Sequence, residues 1–123
     1  MPMIQKILVA DDDLDMLELL KTLLSKAGYA VITAENGLEA VEKAQKELPA
    51  LVMLDIHMPQ MDGLQACKAI KSGQLTKSVP VVMLTVEGSM SEIQQAMGYG
   101  AKTYLTKPSS SEEILKVVKS ILS

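Results

Sequence analysis

The sequence predicts a doubly wound α/β domain, a (βα)5 arrangement around a five-stranded parallel sheet, and three observations predict it. Short apolar runs alternate with amphipathic stretches five times along the 123 residues. Three of those runs lack the polar–apolar alternation of a half-exposed strand, which is how a strand buried on both faces reads. The segments between the runs carry helical periodicity and end on glycine or proline. Right-handed crossovers between successive parallel strands then place helices on both faces of one sheet.

The first strand is Ile7-Leu8-Val9-Ala10. The helix after it is predicted from Met16, Leu19, Leu20, Leu23, Leu24 and Ala27, which share one face at i, i+3, i+4 spacing, with Gly28 at the expected C-cap. Ala30-Val31-Ile32-Thr33 is the second strand, and Ala34-Glu35-Asn36-Gly37 reads as a turn into a helix over about 38–48 that Pro49 ends. Leu51-Val52-Met53-Leu54 is the third strand, followed by a helix over about 64–71 that stops near Gly73. Val79 to Leu84 is the fourth strand. The fourth helix starts near Ser89, where Ser89 and Glu92 fit a capping box, and stops by Gly98 or Gly100. Thr103-Tyr104-Leu105 is the last strand, and a helix over 111–122 is opened by Ser109-Ser110-Ser111 and Glu112-Glu113.

No linker, low-complexity segment or second hydrophobic pattern interrupts the series, so residues 1–123 read as one domain, a length that buries a core without staples. Nine methionines and the leucines fill the space that aromatics often take, since the chain has no Phe and no Trp. A net charge of −3 and a pI near 5.1 give no basic footprint for direct nucleic-acid binding. Apolar runs of four to six residues are too short for membrane insertion. The single cysteine, Cys67, forms no internal disulfide and reads as a small apolar packer, and the N-terminus has no signal-peptide pattern. The expected setting is the reducing cytoplasm.

In doubly wound sheets the ligand site lies beyond the carboxyl ends of the strands. There the sequence places Asp11, Asp12 and Asp13 after the first strand, Asp55 after the third, Thr85 then Val86 and Glu87 after the fourth, and Lys107-Pro108 after the last. Carboxylates from two strands would repel at close range unless a proton or a cation intervened. Oxygen ligands with room for water suit Mg2+. A cation, an ammonium and a hydroxyl around one carboxylate form a set able to stabilise a transferring phosphoryl group.

The segments Ile7 to Asp12, Leu54-Asp55-Ile56-His57-Met58-Pro59-Gln60-Met61-Asp62-Gly63, Met83-Leu84-Thr85 and Gly100 to Pro108 resemble the receiver domain of two-component response regulators over nearly the whole chain. The resemblance implies a flavodoxin-like sheet of order 2-1-3-4-5. It implies that Asp55 accepts a phosphoryl group from a histidine kinase or a His-containing phosphotransfer protein, with Mg2+ as cofactor and Mn2+ as a substitute. Asp11, Asp12, Asp55 and the backbone carbonyl of His57 would hold the metal. Lys107, joined to Pro108 by a cis peptide bond, would meet the phosphoryl oxygens. Thr85 and Tyr104 would move together and carry the signal to the face of helix 4, strand 5 and helix 5. Such a domain is a signalling module that assists its own phosphorylation and dephosphorylation rather than an enzyme turning over a substrate. A stand-alone regulator would act on a downstream protein target, with homodimerisation on phosphorylation as a further implication.

Three positions depart from the family pattern: His57, Val86, and Ser109 where many members carry Phe. Together with Glu87, His57 and Val86 are expected to tune the lifetime of the phosphorylated state. Rival functions fail on particular residues. An EF-hand starting at Asp11 would need Gly at position 16 and Glu at position 22, where Met16 and Thr22 stand. An aspartyl-phosphate hydrolase would need its nucleophile after the first strand and a cap domain that this length does not hold. A degenerate receiver would lack one of the chemical roles, and all are filled.

Overall fold

The computed structural model describes residues 3–86, 90–107 and 109–123. Its elements run β1 (Lys6–Ala10), α1 (Leu14–Lys26), β2 (Ala30–Ala34), α2 (Gly37–Glu47), β3 (Leu51–Asp55), α3 (Gly63–Ser72), β4 (Val81–Val86), α4 (Met90–Gly98), β5 (Thr103–Lys107) and α5 (Ser111–Leu122). The five strands form one parallel sheet in the order β2-β1-β3-β4-β5. The three inner strands are those whose sequences run apolar without alternation, because both of their faces are covered.

Side-chain alternation along the strands splits the core into two layers. On one face Ile7, Val9, Met53, Leu84 and Leu105 pack against Leu17, Leu20 and Leu24 of α1 and Ile114 and Val118 of α5. On the other, Leu8, Val52, Leu54 and Met83 pack against Ala40 and Ala44 of α2, Cys67 and Ile70 of α3 and Ala96 of α4. Burying a Leu or Ile of this kind is worth about 1.5–3 kcal/mol. Cys67 is the small packer expected, and burial pushes its thiol up to about 11.

Several boundaries differ from expectation for local reasons. In α1 the buried stripe is Leu17, Leu20 and Leu24, whereas Leu19 is 56% exposed. The expected face is therefore corrected: Leu20 and Leu24 belong to it, Leu19 does not, and Leu17, which the i, i+3, i+4 reading omits, is buried instead. Strand β4 begins at Val81 rather than Val79, since Pro80 has no N–H for a ladder and instead accepts from Val52 through its carbonyl. Strand β5 extends to Lys107 because Thr106 and Lys107 pair with Thr85 and Val86. The capping-box expectation at Ser89 lies outside the described residues, while α4 begins at Met90.

All four helices with a described N-cap start at the end of the sheet where the strands finish. Asp13, Asn36, Asp62 and Ser110 each accept a hydrogen bond from a first-turn backbone N–H, a contact worth about 1 kcal/mol. Gly28 takes the left-handed conformation just past α1, with φ +102°, and lets the Tyr29 N–H donate to the Leu24 carbonyl. At the end of α2 the corresponding conformation falls on Leu48, with φ 46° and ψ 61°. There Cβ crowds the following carbonyl. Leu48→Gly should therefore raise the unfolding free energy by about 0.5–1 kcal/mol after the entropy of the added glycine is subtracted. Urea denaturation at constant m-value measures it, and a loss of stability would show that Leu48 packing outweighs the relief.

Candidate functional site

Sheet register brings the functional residues together. Ala10 pairs with Leu54, so Asp11 and Asp55, the next residue on each strand, stand at the same height on adjacent strands. Both continue the sheet face that carries Val9 and Met53. Leu84 lies opposite both Asp55 and Leu105. Lys107, two residues beyond Leu105, is on that same face and one strand further away. A lysine stem is long enough to cross that gap, and its ammonium lies 2.5 Å from Asp11 Oδ2 and 3.3 Å from Asp55 Oδ1.

Asp11 is fully buried and Asp55 is 8% exposed, while Asp12 faces solvent. One carboxylate oxygen from each of Asp11, Asp12 and Asp55 lies within 4.8 Å of the others. Burial pushes the Asp55 carboxyl up, the Asp11 charge adds to it, and Lys107 pulls it partly back, leaving it at about 6. Burial acts to lower Lys107, but its hydrogen bond to Asp11 and the charge of Asp55 outweigh that and raise it. Three carboxylates against one ammonium leave two negative charges unbalanced. An all-oxygen donor set with that deficit fits a hard divalent cation, and Mg2+ in particular.

Thr85 is 1% exposed, and its hydroxyl donates to the Val86 carbonyl at 3.1 Å rather than to Asp55. Register pairs Met83 with Tyr104 and Thr85 with Thr106, so Tyr104 and Thr85 share a sheet face one pair apart on adjacent strands. The Tyr104 side chain is partly bared to solvent on this edge strand, at 38%. Ser109 Oγ donates to the Thr106 carbonyl, which ties down the start of the segment leading into α5. Glu87 and the Lys107–Pro108 bond lie outside the described residues.

Three features were not read from the sequence. Gly63, taken there as turn chemistry, packs against the backbone of the phospho-acceptor candidate. An added Cβ would sit 2.0 Å from the Asp55 carbonyl oxygen, and the Gly63 N–H donates to Ile56 at 2.7 Å. Gly37 does the same for the far side of that loop, donating its N–H to Met61 at 2.9 Å where a Cβ would clash with the Met61 carbonyl. The exposed His57 ring meets Glu92 of α4, with Nε2 3.1 Å from Oε1. Asp-Gly and Asn-Gly are ordinary turn pairs, so nothing in the pairs themselves marks these contacts.

The family described as response regulator receiver domain matches residues 7–119. The chain is 40% identical over 118 residues, 96% of its length, to the alkaline phosphatase synthesis transcriptional regulatory protein PhoP of Bacillus subtilis. It spans about half of that relative, 48%. It is 37% identical to the chemotaxis protein CheY of Bacillus subtilis, over 98% of this chain and all of that one. The crystal structure of the chemotaxis response regulator CheY4 of Vibrio cholerae superimposes with a TM-score of 0.91 at 34% identity, over 97% of this chain and 99% of that one.

The Asp55 carboxyl sets a pH dependence. Its folded-state value of about 6 lies above the ordinary 3.8, so its stabilising effect is fully present below about pH 4 and is lost as pH rises through about 6. In metal-free buffer the protein should lose on the order of 1–3 kcal/mol across that window, and Asp55→Asn should remove most of the loss. Urea midpoints measured from pH 4 to 8 with EDTA test this, and a variant less stable than the parent at pH 8 would contradict it.

Proposed function

The chain belongs to the response regulator receiver domain family, and we propose that it acts in two-component phosphorelay with Asp55 as phospho-acceptor in a Mg2+-dependent step. The observation that carries this reading is the Asp11–Lys107–Asp55 cluster at one end of the sheet, two buried carboxylates bridged by one ammonium.

In the proposed step a carboxylate oxygen of Asp55 attacks phosphorus, the bond from phosphorus to the donor nitrogen or oxygen breaks, and the leaving group takes up a proton from solvent. Asp11, Asp12, Asp55 and the His57 carbonyl would hold Mg2+, which when bound neutralises charge on the phosphoryl oxygens. Lys107 exchanges its Asp55 contact for a phosphoryl oxygen while its short bond to Asp11 keeps the ammonium in place. Aligned helix N-termini around the site favour the added negative charge. The Thr85 hydroxyl leaves the Val86 carbonyl for the phosphoryl group, and the adjacent Tyr104 ring turns inward on the face it shares with Thr85. That movement remodels the surface formed by α4, β5 and α5. Donors are a histidine kinase or a His-containing phosphotransfer protein, as the family implies. Residues 1–123 make up one receiver domain, and its activity is self-modification rather than turnover. His57 and Val86 tune the lifetime of the acyl phosphate from positions beside the site, His57 through its contact with Glu92.

Acetyl phosphate with Mg2+ should label the protein once, with an acid-labile adduct, and EDTA or Asp55→Asn should abolish labelling. Thr85→Ala should still be labelled but should lose the change in tyrosine emission, which is readable because the chain has three tyrosines and no tryptophan. Labelling that survives Asp55→Asn unchanged would refute the assignment of Asp55.

A further inference from the structure

The pole opposite the carboxylate cluster, where strands begin and helices end, is basic. Lys26, Lys46, Lys71 and Lys119 stand in the last turns of four helices. Lys6 opens β1, Lys77 lies in the turn before β4, and Lys102 precedes β5. Among the described residues of these last turns, strand starts and joining turns, Glu47 is the one acidic side chain, and Lys6 pairs with it at 3.3 Å. The same pole carries the barest aliphatic side chains of the described chain, Met3 at 91% exposed with Ile4 and Leu75 at 70%.

Either feature alone has a plain explanation. Lysines in last turns complement helix dipoles, and single exposed leucines are common. Their coincidence is different. Lys77 and Lys102 answer no helix end, and the aliphatics stand in the lead-in to β1 and the turn before β4 rather than on helix faces. A cleft of about 320 Å³ also opens at this pole, lined by Lys71, Lys102, Ser78, Ser120 and Pro80, with no carboxylate among its lining residues. The Lys71 ammonium gives one hydrogen bond to the Val79 carbonyl at 2.9 Å, leaving two N–H donors for an anion.

We propose that this pole docks peripherally on an anionic phospholipid surface, the lysines facing headgroup phosphates, the cleft taking one of them, and Ile4 and Leu75 entering the interface. Lysines near an anionic leaflet with a few inserted apolar side chains are the chemistry of peripheral attachment. The acidic pole does not oppose it. Strands of five to six residues separate the poles by roughly 16–20 Å, beyond the Debye length of about 8 Å at physiological salt. Docked in this way, the Asp55 pole faces away from the membrane.

The full chain should sediment with vesicles of equal parts phosphatidylglycerol and phosphatidylcholine and not with phosphatidylcholine alone. Binding should weaken in high salt. Lys77→Glu with Lys102→Glu should weaken it by about tenfold or more, and so should Ile4→Ser with Leu75→Ser. All four side chains lie outside the acceptor site, so unchanged acetyl phosphate labelling confirms that the variants fold. The proposal is overturned by a lack of sedimentation, or by retained binding in both double variants. It is also overturned by binding to polyglutamate without binding to vesicles, which would assign the pole to an acidic protein. Release by inorganic phosphate at matched ionic strength, with Ile4→Ser and Leu75→Ser without effect, would reduce it to a free-anion site and overturn it as well.

Discussion

The Lys107 ammonium, held between Asp11 and Asp55, is the interaction on which the site end of the molecule depends. Parallel strands all finish at one edge, so any acidic residue that follows a strand is delivered to the same small region. Two buried carboxylates there repel, and burial alone already disfavours the charge on Asp55. A single ammonium offsets part of that cost without removing it. The domain tolerates the remainder because its inner strands are fully covered and its two apolar layers are continuous. A site that is costly without a cation favours binding one, since a cation relieves a conflict already present in the fold, whereas the phosphoryl group proposed for Asp55 adds negative charge and depends on that cation.

Signalling needs a contact that differs between two states, and in the proposed mechanism Thr85 supplies it. Its buried hydroxyl is satisfied by the Val86 carbonyl, so leaving that partner costs a hydrogen bond, about 1 kcal/mol net. A new partner on the phosphoryl group must exceed that cost. Moving a population from one part in a hundred to ninety-nine takes about 5.5 kcal/mol. One charge-assisted hydrogen bond, worth about 1.5–3 kcal/mol, is therefore insufficient alone. In that mechanism, repacking around Tyr104, on the same sheet face, is the proposed source of much of the rest. The half-exposed ring has apolar area left to bury, which is the kind of contribution required.

Much of this was legible in the sequence because the relevant signals are local or additive. Uninterrupted apolar runs marked β1, β3 and β4 as inner strands, and the expected bounds of α5 match those found. Asp11 follows β1, and Asp55 and Lys107 close β3 and β5, so topology alone converges them. What escaped was non-local. In the leucine-rich α1 the expected face included Leu19 and omitted Leu17, and docking on the sheet reverses those two. Gly37 and Gly63 read as turn residues, yet their missing side chains admit the backbones of Met61 and Asp55. The His57 contact with Glu92 joins a loop to a helix 35 residues away, and no spacing rule announces such a pair.

The two ends of the molecule follow from one topological fact. In a parallel (βα)5 sheet every helix runs antiparallel to the strands, so its N-terminus lies at the strand ends and its C-terminus at the strand starts. The positive ends of the dipoles therefore gather beside Asp55, where capping and acidic residues are favoured, and the negative ends gather where lysines are favoured. Charge segregates without any selection for a second site. Segregation alone, however, fixes the sign of a pole and not its apolar content. Ile4 and Leu75 are not helix-end residues, and no dipole argument places a bare aliphatic chain beside a lysine. A basic pole that helix dipoles produce for structural reasons thus becomes an attachment surface through changes at a few turn positions, and the strand length keeps that surface electrostatically separate from the chemistry at Asp55.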